Sequence, residues 1–263
     1  MRIPLYQLDA FTSRLFAGNP AAVCPLEQWL PDKTLQAIAA ENNLSETAFF
    51  IAGGDRYHLR WFTPTVEVDL CGHATLATAS LILNLLEPAR DHVKFVTKSG
   101  ELTVRRDGDL LALDFPARPA GPCNLDPNLV KALGIPPETV LAARDYLVVY
   151  ETEEQIRALR PDLQLLSEID RFAVIVTAPG QTADFVSRFF APGKGVPEDP
   201  VTGSAHCTLV PYWAQRLAKN RLHALQLSAR GGELWCENLG ARVQMSGRAV
   251  LYLEGFIHLD RLN

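Results

Sequence analysis

DLCGHATLATASLILNLL, residues 69–86, has no charged side chain beyond Asp69, and small or apolar residues fall on every face of a helix drawn through it. A helix that is apolar all round belongs in a protein interior. This one starts at Cys71-Gly72-His73, a small polar end from which unpaired backbone N–H groups and the positive end of the helix dipole project. The surrounding sequence reads as a container for a central helix near 72–86.

The chain has 263 residues, 48% of them hydrophobic and 21% charged, with a net charge of -5. That is an ordinary globular composition, long enough for one or two domains. No run of Lys or Arg offers nucleic acid or an anionic membrane an electrostatic partner. Residues 1–9 lack the apolar core of a signal peptide. The uncharged run 74–86 is shorter than the roughly 20 residues a bilayer requires. The five cysteines (Cys24, Cys71, Cys123, Cys207, Cys236) form no C-x-x-C pair. They are expected as reduced thiols in the cytoplasm.

Working outward, strands are expected over 3–11, 21–24, 45–52 and 57–63, followed after the central helix by a meander over 93–97, 101–106 and 110–115. Asp32 is the expected N-cap of a helix carrying Leu35, Ile38 and Ala39 and stopping at Asn42-Asn43. Four prolines and a glycine in 116–127 mark a linker. Beyond it come helices over 128–133 and 153–159 and strands over 140–143, 146–150 and 172–177. Residues 183–190 read equally as helix or strand. A long loop, 191–202, precedes a second mostly apolar helix near 204–218, in which Pro211 frees the carbonyl of Cys207 and predicts a kink. Strands over 223–228, 233–236, 241–245 and 249–258 close the chain.

The two central helices are introduced alike. Arg60-Trp-Phe-Thr-Pro64 leads to Gly72-His73-Ala74, and Arg188-Phe-Phe-Ala-Pro192 leads to Gly203-Ser204-Ala205. The two arginines are 128 residues apart, close to half the chain, and the second intervening loop is three residues longer. Such a repeat predicts two similar halves: residues 1–116 around the first helix and 117–263 around the second, with the last strand free to pack back on the first half. The expected fold class is α+β, each half a curled, mostly antiparallel sheet or barrel around a buried helix. If the halves face each other, both helix starts point into one cleft, a site for a small anionic ligand held by backbone N–H groups without a metal.

Several side chains are candidates for chemistry, each with a plainer alternative. Glu46 begins an apolar strand and shares a face with Ala48 and Phe50; it is either a solvated edge carboxylate or, on a buried face, a group suited to proton transfer near neutrality. His73 is either satisfied by backbone groups or a neutral imidazole, its pKa lowered by the helix end. Asp199, in Val196-Pro-Glu-Asp-Pro-Val-Thr-Gly-Ser204, either caps the second helix or binds a ligand's amine or hydroxyl. Cys71 stands where a helix start stabilises a thiolate, but the matching position is Thr202, so a two-cysteine mechanism lacks its second member there. The six histidines show no metal-binding spacing, and no Gly-rich nucleotide-binding loop occurs.

Together, Gly18-Asn19-Pro20-Ala-Ala-Val23, Ser45-Glu46-Thr47-Ala48-Phe49, Cys71-Gly72-His73-Ala74-Thr75 and Glu198-Asp199-Pro200-Val201-Thr202-Gly203-Ser204-Ala205 resemble the phenazine-biosynthesis F-like (PhzF) isomerase family, in the family's order and along nearly the whole chain. The resemblance implies a diaminopimelate-epimerase-like fold, a homodimer and no cofactor. It implies Glu46 as the base that takes a proton from a ring carbon and returns it elsewhere, as the prototype does on trans-2,3-dihydro-3-hydroxyanthranilate. It also implies Gly72, His73, Asp199, Gly203 and Ser204 as substrate contacts, with Cys71 and Thr202 as accessory positions.

The leading expectation is therefore a cofactor-independent isomerase acting on a small carboxylated substrate, a cyclic one included. An amino- or imino-acid racemase or epimerase involving Cys71 is the alternative, and a non-catalytic small-molecule-binding protein the third.

Overall fold

Two units make up the chain, one of Met1–Asp114 with the segment from Ser246 onward, the other of Phe115–Met245. The computed structural model describes residues 1–259; the last four residues of the expected second half lie outside the described residues. Among the described residues no helix is long and apolar enough to cross a membrane.

In the first unit the elements are β1 (Arg2–Ala10), β2 (Asn19–Leu26), α1 (Asp32–Asn42), β3 (Glu46–Gly53), β4 (Arg56–Phe62), β5 (Glu67–Val68), α2 (Gly72–Leu81), β6 (His92–Thr97), β7 (Gly100–Asp107) and β8 (Leu110–Pro116). The strands are ordered β1-β2-β3-β4-β6-β7-β8, with the chain's last strand, Ala249–His258, antiparallel to β1. Nine consecutive residues of α2, His73–Leu81, are buried. Its apolar periphery packs on β1, β2, β3 and the last strand, and each Leu removed from water there contributes on the order of 1.5–3 kcal/mol.

The second unit holds α3 (Pro127–Leu133), β9 (Thr139–Ala142), β10 (Tyr146–Val149), α4 (Glu153–Ala158), α5 (Leu163–Ser167), β11 (Val174–Pro179), β12 (Phe185–Phe190), α6 (Gly203–Leu217), β13 (Arg221–Gln226), β14 (Gly232–Asn238) and β15 (Arg242–Gly247). The last strand is β16. Strand order runs β15-β14-β13-β12-β11-β10-β9. The pairings repeat those of the first unit. In both, the sense alternates along five pairs as antiparallel, parallel, antiparallel, parallel, antiparallel: β1 to β7 without β5, and β9 to β14. Each parallel pair requires a crossover, supplied by α1 and α2 in one unit and by α4–α5 and α6 in the other. The fold is α+β as expected, with curled, mostly antiparallel sheets that stay open and do not close into a barrel.

The repeat extends to side chains. Arg60 on β4 grips Glu67 with two hydrogen bonds of 2.7 and 2.9 Å, and Arg188 on β12 grips Glu198 with two of 2.7 and 3.0 Å. Each pair ties a strand to the loop that delivers the central helix. The Arg60 hydrogen bond holds the Glu67 carboxyl down to about 2.

Other local expectations are corrected by tertiary context. Pro31, not Asp32, occupies the N-cap of α1, because the Asp32 carboxylate reaches Arg60 instead. The first central helix is α-helical only to Leu81 and ends in a π turn over Ile82–Leu86, with Leu85 and Leu86 exposed. Of residues 183–190, Phe185–Phe190 form the mostly buried strand β12. The carbonyl that Pro211 frees at Cys207 accepts the backbone N–H of Arg118 at 2.8 Å, so the linker satisfies what the proline leaves open.

Candidate active site

Glu46 is the first residue of β3, Cys71 the N-cap of α2 and His73 the second residue of that helix. The first unit brings all three together. Glu46 Oε2 lies 3.1 Å from His73 Nε2, and Cys71 Sγ lies 3.5 Å from His73 Nδ1. The Glu46 side chain is 18% exposed and that of His73 6%. Glu46 Oε2 and His73 Nε2 are close but not aligned as a hydrogen bond, which leaves both buried atoms without one. Buried polar groups are rarely left so, and a ligand atom between them would satisfy both.

The imidazole has a third neighbour, which sequence reasoning quoted but gave no role. Asn19 Nδ2 lies 3.2 Å from His73 Nδ1, deep in the unit. Its placement depends on Gly18, which has φ +65° and whose missing Cβ would lie 2.2 Å from the Ala10 carbonyl oxygen. Asn19 and Cys71 thus face Nδ1, while Glu46 faces Nε2.

The electrostatics differ from expectation. Burial works against the imidazolium, but the acidic groups of Cys71 and Glu46 outweigh it and raise the His73 pKa well above the ordinary value. A carboxylate at 3.1 Å overrides a helix end, whose dipole amounts to about half a charge. For Cys71, burial and then Glu46 push the thiol's pKa up.

Glu46, Cys71 and His73 each offer one donor atom of a type that binds metal, all within 4.8 Å of one another. Glu46 faces Nε2 and Cys71 faces Nδ1. Donors on opposite ring nitrogens form a chain through the imidazole, not a chelating set.

The other candidates gather in the second unit. Thr202 is the N-cap of α6, but its side chain makes no capping bond; the hydroxyl is donated to Asp199 Oδ2. Gln226, 1% exposed, binds the same turn, accepting Thr202 N–H at 2.9 Å and donating to the Asp199 carbonyl at 2.8 Å. Gly203 is buried and Ser204 half-buried; Ser204 Oγ accepts from Arg144 Nη2 at 3.2 Å. His206, one turn into the helix, lies with Nδ1 2.8 Å from the Thr202 carbonyl oxygen, and burial lowers its pKa to about 4.

Strand register shows which group the second unit lacks. Phe49 pairs with Arg60 and Val176 with Arg188. Counting back three residues from each matches Glu46, at the start of β3, with Ala173, the residue just before β11. The second unit has no carboxylate at the position matching Glu46.

The profile of the phenazine biosynthesis-like protein family, PhzC-PhzF, matches residues 8–255. The chain belongs to this family. An "uncharacterized isomerase" of Pseudomonas aeruginosa is 56% identical over 259 residues, which cover 98% of this chain and 100% of that protein. A PhzF-family crystal structure from Enterococcus faecalis superposes with a TM-score of 0.96 at 45% identity, covering 98% of this chain and all of that one. A hydroxyproline epimerase from Agrobacterium vitis shares the fold alone, with a TM-score of 0.61 at 11% identity over 100% of this chain and 92% of its own. As a PhzC-PhzF member with full-length relatives named isomerases, this chain is an isomerase.

Proposed function

We propose that this PhzC-PhzF member moves a proton on a small carboxylated substrate, with Glu46 as the base that removes it and the acid that returns it. The observation that carries the reading is the buried pair Glu46 Oε2 and His73 Nε2, 3.1 Å apart and without an aligned hydrogen bond. The Nε2 proton orients the carboxylate and supports its charge while the substrate is bound. Gly72, His73, Asp199, Gly203 and Ser204 are the proposed substrate contacts, the helix starts offering backbone N–H groups to developing negative charge. Carboxylates, hydroxyls and backbone N–H groups suffice for this chemistry.

Isomerisation of trans-2,3-dihydro-3-hydroxyanthranilate and of a panel of small unsaturated carboxylates in deuterated water, followed by proton NMR, tests the reading. Glu46→Gln should slow deuterium incorporation by about 10²–10⁴-fold with the circular dichroism spectrum unchanged. Full turnover in that variant would refute the assignment. The second reading, a racemase or epimerase working through Cys71, draws on the thiol's position 3.5 Å from His73; the raised thiol pKa weighs against it.

The family resemblance supports a homodimer, which sedimentation velocity reads directly. The five free cysteines suit a reducing compartment such as the cytoplasm, and fractionation of the native host would show whether the chain resides there.

A further inference from the structure

We infer that Arg144 receives the substrate's carboxylate beside the start of α6, through an edge of its guanidinium that the fold leaves open. The inference rests on Ser204 being a substrate contact and adds the group that selects for a carboxylate there.

Arg144 precedes β10 and is fixed from three sides within its own unit. Its Nε and Nη2 donate to the two carboxylate oxygens of Asp145 at 2.9 and 2.7 Å. Its Cζ lies 4.4 Å from the centre of the Phe172 ring, over which Lys194 also stands at 5.6 Å. Its Nη2 also donates to Ser204 Oγ at 3.2 Å. A pair made only for stability gains little at a surface. Here the acid is almost wholly buried, at 2%, whereas the arginine side chain is 35% exposed. Asp145 acts as an anchor that sets the plane of an arginine facing solvent.

The geometry of a guanidinium makes the consequence specific. It has two forks, one along Nε and Nη2 and one along Nη1 and Nη2. Asp145 occupies the first. The Nη2 hydrogen directed at Ser204 belongs to the second, and none of these bonds uses Nη1. A carboxylate has the spacing to accept both N–H groups of that second fork. The Ser204 hydroxyl, released from accepting, can then donate to the same carboxylate. An uncharged hydroxyl or a single amide oxygen fills half of this arrangement. The fork therefore selects a planar anion.

NMR of the arginine side-chain nitrogens, with Arg144 assigned by substitution, tests this with benzoate as probe and benzyl alcohol as its uncharged match. Benzoate should shift the Arg144 signals saturably and benzyl alcohol should not. Arg144→Lys, which keeps the charge without the fork, should weaken benzoate by at least about tenfold, and Arg144→Gln with Asp145→Asn by at least as much. Should the double variant fail to fold, Arg144→Lys decides alone. The absence of a saturable shift, or undiminished binding in Arg144→Lys, overturns the inference. Failure of the Glu46 reading shows separately, as unchanged deuterium incorporation in Glu46→Gln.

Discussion

At the scale of single residues, the contact between Glu46 and His73 links the proposed chemistry to stability. The His73 pKa is raised in the folded chain by Cys71 and Glu46 against the cost of burial, whereas an unfolded imidazole titrates near about 6.5. The native state thus binds this proton more tightly. Its contribution to stability is fully present below about pH 6.5 and is lost as pH rises through the folded value. Urea unfolding of the parent and of His73→Gln should show a stability gap that is widest between about pH 5 and 6.5 and narrows at higher pH. A gap independent of pH would mean that the ring is held neutral. Glu46 and His73 were legible in sequence because short motifs carry them. Asn19 and Arg144 were not, because their importance lies in contacts 54 and 60 residues distant along the chain. Arg144-Asp145 ahead of the apolar run 146–150 was the one available signal, a charged pair at the mouth of a buried strand.

At the scale of elements, each central helix depends on an arginine that joins a strand to the preceding loop. Arg188 does more than Arg60. Besides Glu198 it satisfies the carbonyls of Ile156 and Leu159 where α4 ends, at 3.2 and 3.0 Å, and its side chain is 12% exposed. Arg188→Lys cannot span these four bonds and should cost about 2–4 kcal/mol in urea unfolding. Arg56→Lys, in an exposed pair with Glu101, should cost less than about 1 kcal/mol; equal costs would deny the strut its role. Helices and strands with a strong period were readable: α2 from its uncharged run, α6 from its match to α2, β3 from its aromatic and β-branched residues. The missed or ambiguous elements differ in cause. β5 has two residues and exists through its pairing with β4. α5 has five, started by the Asp162 cap. β12 is decided by lying between β11 and β13. For β5 and β12, tertiary partners supply what local sequence does not; α5 is a single turn on a local cap.

At the scale of the whole molecule, the duplication is faithful in architecture and broken in chemistry. Strand pairings and arginine struts repeat, yet Glu46 is matched by Ala173, His73 by Ser204 and Cys71 by Thr202. A two-base enzyme removes a proton with one group and delivers a different one with another, so the product's new hydrogen comes from solvent. With Glu46 as the one base, as proposed, the abstracted proton would remain on it until returned. Because the Glu46 side chain is largely shielded, at 18% exposure, exchange with water competes with return instead of preceding it. Substrate deuterated at the reacting carbon and turned over in ordinary water should therefore carry part of its label into the first product formed, as read by mass spectrometry at low conversion. Cys71→Ser should preserve both the transfer and most of the rate. If that variant loses activity by about 10²-fold or more and the parent transfers no label, a second base is at work, and the single-copy Glu46 is not the whole proton path.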